Sequence, residues 1–258
     1  MPRFVISFEG VLKVLPPKCT RHHAEIYPPL KRLEREGVAI GFYGFSQRRM
    51  RSFVKRIWNE RFEVTGAEHV PLSGSAVLAA NQTTHLDPLF LAVALRRPIH
   101  FVGLDDAGKL EPWYTPFLYR SMGVIIVTDS LATHGWRLSI AEVDDAVRYG
   151  ELMGIFPEGR LELKTDRSEI GQFHKGVVTI AKHHNLPIIP ILMRGTEAVM
   201  PNSTPHLRGK IHVVPVSIKI GEPILPTEPY NEESIRQSIM ALEDSAPNQT
   251  AKRVRSAA

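Results

Sequence analysis

Short apolar runs alternate with segments of helical periodicity over most of the chain from Val64 onward. The runs have the length of buried strands, and the segments between them repeat apolar residues every three or four positions. Strands are predicted at residues 75–81, 99–102, 123–127, 152–156, 188–193 and 211–220. Helices are predicted between them at residues 87–95, 112–121, 134–149 and 175–184. This alternation predicts an α/β fold with a largely parallel mixed sheet covered by helices.

The N-terminal region differs in pattern from the rest of the chain. Residues 1–41 are irregular and contain two proline pairs, which interrupt helices and strands, so only a short helix at 30–36 is predicted there. Residues 48–61 have apolar residues at helical spacing and many basic residues on the remaining surface. We expect this helix to dock on the core, and its basic side suits an anionic membrane surface if the helix lies at the rim. Its apolar face consists of Met50, Phe53, Val54, Ile57 and Trp58.

The C-terminal region is predicted to contain one more helix. That helix runs from Glu232 to Glu243, with Asn231 in the N-cap position, where its amide oxygen can accept a backbone N–H. Residues 244–258 are polar and basic, and we expect a frayed tail. The predicted organisation is therefore an N-terminal segment with a basic amphipathic helix (1–62), an α/β domain (63–243) and a flexible basic tail (244–258).

Composition and charge limit the possible locations and binding partners of the protein. The 258 residues include a single cysteine, which excludes a disulfide framework. There is no run of about 18 apolar residues, so no conventional membrane-spanning helix is expected. The start of the chain lacks a signal-peptide pattern, and we expect a cytoplasmic protein or one peripheral on the cytosolic face of a membrane. The formal net charge of +5 favours anionic partners such as nucleic acid, anionic lipid or an acidic carrier.

Four motifs border the predicted strands and helices. Residues 81–89 read Asn-Gln-Thr-Thr-His-Leu-Asp-Pro-Leu and connect a strand to a helix. Residues 156–160 read Phe-Pro-Glu-Gly-Arg after another strand, and residues 173–176 read Phe-His-Lys-Gly at the start of a helix. Residues 186–191 read Leu-Pro-Ile-Ile-Pro-Ile. In largely parallel sheets, functional sites gather at the loops that leave the carboxyl ends of the strands, as the first two motifs do.

These motifs, in this order and spacing, resemble those of the glycerolipid acyltransferase superfamily, including the 1-acyl-glycerol-3-phosphate acyltransferases. The resemblance covers roughly residues 60–222 and rests on the pairing of Phe-Pro-Glu-Gly-Arg with the later Leu-Pro-Ile-Ile-Pro-Ile segment. It implies an acyltransferase that moves a fatty acyl group from acyl-CoA or acyl carrier protein to a hydroxyl of a lysophospholipid or related lipid acceptor. It also implies that the donor brings no separate cofactor into the protein. We expect a peripheral position on the cytosolic membrane face from the missing membrane span and signal peptide, and no nucleic-acid partner, because such a partner explains none of the four motifs.

The resemblance implies a catalytic pair in the first motif, where the family has histidine, four residues and then aspartate. The family's histidine accepts the proton of the acceptor hydroxyl, because a hydroxyl is a weak nucleophile, and the aspartate orients the histidine ring. Asp87 matches the aspartate, whereas Gln82 occupies the histidine position and cannot accept a proton near neutral pH. Three interpretations stay open: His85 replaces the base, the protein binds its ligands without turnover, or Gln82 silences an otherwise competent enzyme.

The resemblance also implies how the acceptor is held. Glu158, Gly159 and Arg160 match the family's acceptor-binding motif, and Lys175 is expected to assist. The guanidinium of Arg160 can grip phosphate oxygens through two parallel hydrogen bonds. The case for a glycerol-phosphate acceptor is weakened by two residues that stand where the family usually has arginine, Asp129 and Leu161.

Other interpretations of the same residues lead away from catalysis. Asp87 can be no more than a helix cap, with Pro88 in the first helical position. Glu158 and Arg160 can form an ordinary surface ion pair. The arginine-rich helix at 48–61 can indicate a nucleic-acid-binding protein, although that function explains none of the four motifs.

The histidine pairs raise the question of a metal site. The chain contains 11 histidines, with adjacent pairs at 22–23 and 183–184. Adjacent side chains on a helix or strand point in different directions, so a single pair serves one ion poorly. No His-Glu-x-x-His or Cys-x-x-Cys spacing is present, and we therefore predict no metal site.

Overall fold

The structure, a computed structural model, describes seven stretches of the chain: residues 5–7, 49–84, 86–104, 124–127, 143–159, 169–199 and 210–244. Their strands are β1 (Val5–Ser7), β2 (Phe62–Thr65), β3 (Ala76–Ala80), β4 (Ile99–Leu104), β5 (Val124–Val127), β6 (Leu152–Ile155), β7 (Ile188–Arg194), β8 (Lys210–His212) and β9 (Val216–Ile220). Their helices are α1 (49–58), α2 (Asp87–Ala94), α3 (143–148), α4 (Gly176–His184) and α5 (Glu232–Ala241).

Seven of these strands form one mixed sheet in the order β2-β9-β7-β3-β6-β4-β5. Neighbouring strands are parallel throughout, except that β7 and β9 are antiparallel. Strands β1 and β8 form a separate antiparallel pair. The prediction of a largely parallel mixed sheet covered by helices is confirmed.

The central strand β3 is buried on both faces. Its five residues are small or aliphatic, and all are shielded from solvent. Ala76, Leu78 and Ala80 pack with residues of α1 and α2 in one apolar cluster, whereas Val77 and Ala79 pack with residues of α3, α4 and α5 in a second. Successive side chains of a strand point to opposite faces, so a layer of helices covers each face of β3.

Helix α1 docks on the first of these clusters through its apolar face. Val54 and Trp58 are buried, and the Trp58 ring meets the Phe90 ring of α2 edge to face, with 5.3 Å between the ring centroids. The Arg51 side chain donates a hydrogen bond of 2.9 Å to the carbonyl of Val93, close to the end of α2. The prediction that this helix docks on the core is confirmed.

Helix α5 begins as predicted. The Asn231 side chain accepts the backbone N–H of Ser234 at 2.8 Å, and the Ser234 hydroxyl accepts the N–H of Asn231 at 2.9 Å. This reciprocal arrangement satisfies two backbone donors at the start of the helix. The helix ends at Ala241, slightly before the predicted end at Glu243.

Two predictions about the strands are wrong, and one further strand was not predicted. The predicted strand at 211–220 is two strands, β8 and β9, and Pro215, which has no N–H to donate to a ladder, lies between them. The N-terminal region predicted to be irregular contains β1, which pairs with β8. Strand β2, which pairs with β9, was not predicted from the sequence. Both missed strands are short, and each pairs with a strand that is distant in the sequence.

Several predicted elements lie outside the described residues. These are the short helix at 30–36, the helix at 112–121, the first part of the helix at 134–149 and nearly all of the tail at 244–258.

Candidate active site

The order of the strands brings the first two motifs to one edge of the sheet. Strand β3 pairs in parallel with β6 on one side and with β7 on the other, so the three carboxyl ends lie next to each other. The first motif leaves β3, the second leaves β6, and Thr196 follows β7. This is the edge at which α/β sheets usually carry their sites.

Asn81 fastens the start of the first motif to β7. Its side-chain amide donates a hydrogen bond of 3.0 Å to the carbonyl of Met193, and its side-chain oxygen accepts the Met193 N–H at 2.7 Å. The side chain therefore continues the ladder between β3 and β7 where the backbone turns away. Sequence reasoning assigned Asn81 no role, although a buried amide directly after a buried strand is a signal for such a contact.

Asp87 does not cap α2 in the predicted manner. The N-cap residue is Leu86, and Asp87 is the first residue of the helix. Its carboxylate points back to the preceding turn, where Oδ2 accepts the backbone N–H groups of Thr83 at 2.5 Å and Thr84 at 2.9 Å. The prediction of a helix cap is wrong because these two buried donors of the turn use the carboxylate instead.

Burial dominates the electrostatics of Asp87. The side chain is completely buried, and burial raises the pKa of its carboxyl from the ordinary value of 3.8 to about 6. Hydrogen bonds from the Thr83 and Thr84 backbone, and then from the Thr196 and Thr83 hydroxyls, act in the opposite direction on this pKa. The two hydroxyls contact each other at 2.6 Å. At neutral pH the carboxyl is therefore a rigidly held carboxylate in a water-poor setting.

Glu158 joins the first motif to the long loop that follows β6. One carboxylate oxygen accepts the backbone N–H of Gln82 at 2.8 Å, and the other accepts the backbone N–H of Gly171 at 2.7 Å. Glu158 is buried, which contradicts its interpretation as one half of an ordinary surface ion pair. We describe this arrangement of Glu158, Gln82 and Gly171 as the Glu158 clamp.

His174 lies against the second motif. Gly159 has φ of +79°, which favours glycine, and a Cβ atom at this position would lie 2.9 Å from Cδ2 and 3.3 Å from Nε2 of His174. The backbone N–H of His174 donates a hydrogen bond of 2.8 Å to the backbone carbonyl of Pro157. An exposed imidazole therefore borders the turn that carries Glu158. Sequence reasoning named Lys175 in this motif and missed its neighbour.

The other predicted site residues have different outcomes. Gln82 is half-buried and takes part in the Glu158 clamp through its backbone. Lys175 is exposed at the N-cap of α4, next to His174. His85 and Arg160 lie outside the described residues, so their roles stay predictions.

A further basic side chain borders this edge of the sheet. Arg194, the last residue of β7, is held by an ion pair with Glu243, whose hydrogen bond is the main reason that the pKa of Arg194 is raised. The negative charges of Glu197 and Glu158 act on this pKa in the same direction. Arg194 is thus a cation near the Glu158 clamp that no sequence motif indicated.

Comparison with known proteins identifies the family. The family model described as acyltransferase matches residues 61–194. This chain belongs to the acyltransferase family. The matched region extends from β2 to β7, so it includes the first motif and the Glu158 clamp.

Relatives of this acyltransferase-family chain match about half of its residues. A probable 1-acyl-sn-glycerol-3-phosphate acyltransferase of Mycoplasma pneumoniae is 27% identical over 52% of this chain and 49% of its own length. A 1-acyl-sn-glycerol-3-phosphate acyltransferase of Pseudomonas aeruginosa is 26% identical over 51% of this chain and 48% of its own length. The chain thus spans about half the length of the curated relatives it matches.

A solved structure supports the fold of this acyltransferase-family chain. The 1-acyl-sn-glycerophosphate acyltransferase of Thermotoga maritima superposes with a TM-score of 0.57 at 20% identity, over 81% of this chain and 82% of that one. The resemblance read from the motifs is therefore confirmed at the level of family and fold.

Replacing Asp87 by asparagine should change how stability depends on pH. Because the pKa of folded Asp87 lies above its ordinary value, stability contributed by this group is lost as pH rises from about 4 to about 6. Asp87→Asn removes this loss, so the free energy of unfolding of the variant relative to the parent should rise by roughly 2–3 kcal/mol from pH 4 to pH 7. Urea unfolding of both proteins at the two pH values measures the difference; an equal difference at both would contradict the buried carboxyl.

Replacing Glu158 by glutamine should weaken the Glu158 clamp. An amide has one acceptor oxygen, so one of the two backbone N–H groups, of Gln82 or Gly171, loses its partner. The free energy of unfolding should fall by about 1–3 kcal/mol in denaturant titrations. Glu228→Gln is the matched control, because Glu228 accepts a single exposed backbone N–H, from Leu225 at 3.2 Å. If the two substitutions lowered the free energy of unfolding equally, the Glu158 clamp would contribute no more to stability than an exposed hydrogen bond.

Proposed function

We propose that this protein transfers a fatty acyl group from a thioester donor, acyl-CoA or acyl carrier protein, to a hydroxyl of a lysophospholipid or related lipid acceptor. The observation that carries the proposal is the meeting of the family's two motifs at one edge of the sheet, where Glu158 binds the backbone of Gln82. The acyltransferase family match covers both motifs, and two relatives that match about half of the chain are named as acyltransferases for 1-acyl-sn-glycerol 3-phosphate.

The reaction needs a proton acceptor at the attacking hydroxyl. The hydroxyl oxygen forms an ester bond with the acyl carbon, the bond from that carbon to sulfur breaks, and the departing thiolate takes up the proton. Residue 82 is the family's position for the base that carries this proton. Gln82 can hold the hydroxyl by a hydrogen bond, but its amide cannot take the proton near neutral pH.

The geometry of Asp87 suits the orientation of a base at position 82. Both backbone donors converge on Oδ2, whereas Oδ1 accepts neither of them, and the Thr83 hydroxyl is 3.3 Å from Oδ2 and 3.4 Å from Oδ1. Oδ1 is therefore the oxygen that can accept a ring N–H, as in a histidine–aspartate pair. We assign Asp87 the role of a positioning residue rather than that of the base.

The remaining residues of the site are assigned to the acceptor. Glu158, Gly159 and Arg160 hold the acceptor in this proposal, and Lys175 assists from the start of α4. His85 of the first motif is one candidate for the base. The exposed imidazole of His174, which lies beside Gly159, is a second candidate. The reaction as proposed uses no separate cofactor.

The substitution Gln82→His tests the proposal directly. Release of thiol from acyl-CoA is measured with lysophosphatidic acid and with other lysolipids as acceptors. The variant should turn over roughly 100-fold faster than the parent or more, because a general base contributes a factor of about this size. Gln82→Asn is the matched control, since it changes the side chain without adding a base and should bring no gain.

Combined variants distinguish the base from the residue that positions it. Adding Asp87→Asn to Gln82→His should remove most of the gain, because the ring at position 82 then loses its carboxylate. Equal turnover of the parent and Gln82→His would mean that another base operates, and His85→Asn and His174→Asn would then be compared. Absence of turnover in every variant, with every acceptor, would reject acyl transfer.

A second candidate function is binding without turnover. Gln82 is the observation that favours it, since the fold keeps the oriented carboxylate of Asp87 but lacks the family's base. Such a protein would bind a lipid or an acyl carrier protein on the same site. Detectable turnover by the parent sequence in the thiol-release assay would exclude this alternative.

The exposed side of α1 supports a membrane-facing position. Phe53 keeps 43% of its surface exposed, and the basic residues Arg49, Lys55 and Arg56 of the same helix are exposed as well. An apolar ring beside cationic side chains suits the cytosolic face of a membrane that contains anionic lipid. In the described part of the chain, no helix combines the length and the apolar character needed to cross a bilayer.

Removing this exposed surface should weaken vesicle binding. The triple variant Phe53→Ser, Lys55→Gln, Arg56→Gln should bind vesicles of anionic phospholipid roughly tenfold more weakly or worse, because each basic residue near the surface contributes about 1 kcal/mol. Cosedimentation with vesicles measures the affinity.

The matched control removes the same numbers of apolar and basic groups elsewhere. Leu72→Ser, Arg96→Gln, Arg148→Gln changes three exposed residues outside α1 and should leave binding nearly unaltered. Equal losses in both triple variants would show that net charge, and not α1, governs binding.

A further inference from the structure

Three side chains with metal-ligand chemistry meet on the helical layer formed by α3 and α4. Asp144 of α3 and His183 and His184 of α4 each offer one ligand atom, and these atoms all lie within 4.8 Å of one another. Among the residues that the structure describes, this is the only such group of three histidine, cysteine or carboxylate side chains. The group belongs to no motif of the acyltransferase family discussed above.

The contact between Asp144 and His184 has the spacing of two metal ligands. Oδ1 of Asp144 lies 3.3 Å from Nε2 of His184. This oxygen is shielded from solvent and has no hydrogen-bond partner within the described residues, so the pair lacks hydrogen-bond geometry. Ligand atoms held about 2.1 Å from a tetrahedral ion are separated by about 3.4 Å. A bound ion would therefore satisfy a buried oxygen that otherwise costs free energy.

His183 supplies a third ligand atom despite its position next to His184. The two rings stand at 88° to each other, with 4.7 Å between their centroids. Neighbouring side chains of a helix diverge, so the histidine pair alone is insufficient for an ion, and this is why no metal site was predicted from the sequence. Asp144 comes from a different helix, so the spacing of residues within α4 could not reveal the group.

The surrounding charges favour a cation at this place. Helix α4 ends at His184, and Asn185 follows in the left-handed region with φ of 54°. The carboxyl end of a helix carries partial negative charge, and Asp144 adds a carboxylate. Lys182 belongs to the same turn, but its ammonium lies over the Tyr230 ring, 5.3 Å from the centroid.

We propose that Asp144, His183 and His184 form a binding site for a divalent first-row transition-metal ion, with Zn²⁺ as the fitting test ion. Two imidazoles and one carboxylate are a donor set that such ions accept, with water in the open position. The ion links α3 to α4 and stabilises the helical layer on this face of the sheet. The site lies at the carboxyl end of α4, roughly 12 Å along the helix axis from its first residue, Gly176, so the ion takes no part in acyl transfer.

Titration of the metal-stripped full chain with Zn²⁺ tests the proposal. Calorimetry should show one tightly bound equivalent, and Asp144→Asn, His183→Asn and His184→Asn should each weaken binding roughly tenfold or more. Zn²⁺ should raise the Tm of the parent and should raise it less in these three variants, because an ion that binds the folded state stabilises it. His183 is exposed, so His183→Asn is the variant least able to disturb folding.

Two controls locate the ion. Asp145→Asn changes the neighbouring aspartate of α3, which pairs with Arg148, and should leave binding unchanged. The double variant His22→Asn, His23→Asn removes the other adjacent histidine pair of the sequence and should also leave it unchanged. Unchanged Zn²⁺ affinity in all three ligand variants, or loss of binding in the His22/His23 variant instead, would overturn the proposal.

A measurement on the parent protein avoids any effect of substitution on folding. Diethyl pyrocarbonate modifies accessible imidazoles, and mass spectrometry shows which histidines react. Zn²⁺ should reduce modification of His183 and His184 while leaving that of His174 unchanged. Equal protection of all three histidines, or of none, would contradict a site at the end of α4.

Discussion

The parallel pairing of β3 with both β6 and β7 is the constraint on which the candidate site depends. It places the carboxyl ends of three strands next to each other, although the loops that follow them are far apart in the sequence. The pairing in turn requires that β3 be buried on both faces, which its small and aliphatic residues allow. A polar or bulky side chain within β3 would disturb the two helical layers and the edge that carries the site at the same time.

Two buried carboxylates then organise the loops at that edge. Burial of a charge is unfavourable unless hydrogen bonds compensate for lost solvation. Asp87 receives two backbone N–H groups on one oxygen, and Glu158 receives one on each oxygen. Each carboxylate therefore rigidifies a turn that would otherwise contain unsatisfied donors. The rigid placement is what a positioning role in catalysis also demands, so the structural and functional uses of these residues do not compete.

Glu158 contacts the backbone of residue 82, which explains how the fold can accept glutamine at this position. Glu158 binds the N–H of residue 82, which every residue except proline possesses. The Glu158 clamp can therefore form with histidine or with glutamine, and the loss of a base at this position does not require the loss of the scaffold. A chain of this family can keep the fold and the oriented Asp87 whether or not it performs the proton transfer.

Local patterns in the sequence determined the α/β class, strands β3 to β7, helices α2, α4 and α5, and the motifs that identify the family. These features depend on periodicity, caps and residue spacing, all of which act over a few neighbouring residues. Tertiary structure decided the rest. Strands β1 and β2 exist because β8 and β9 pair with them, and Asp87 turns back to Thr83 and Thr84 because burial leaves those N–H groups without water. Glu158, His174 and Asp144 acquire their partners from distant parts of the chain, and contacts of that kind are set by packing, which no local pattern records.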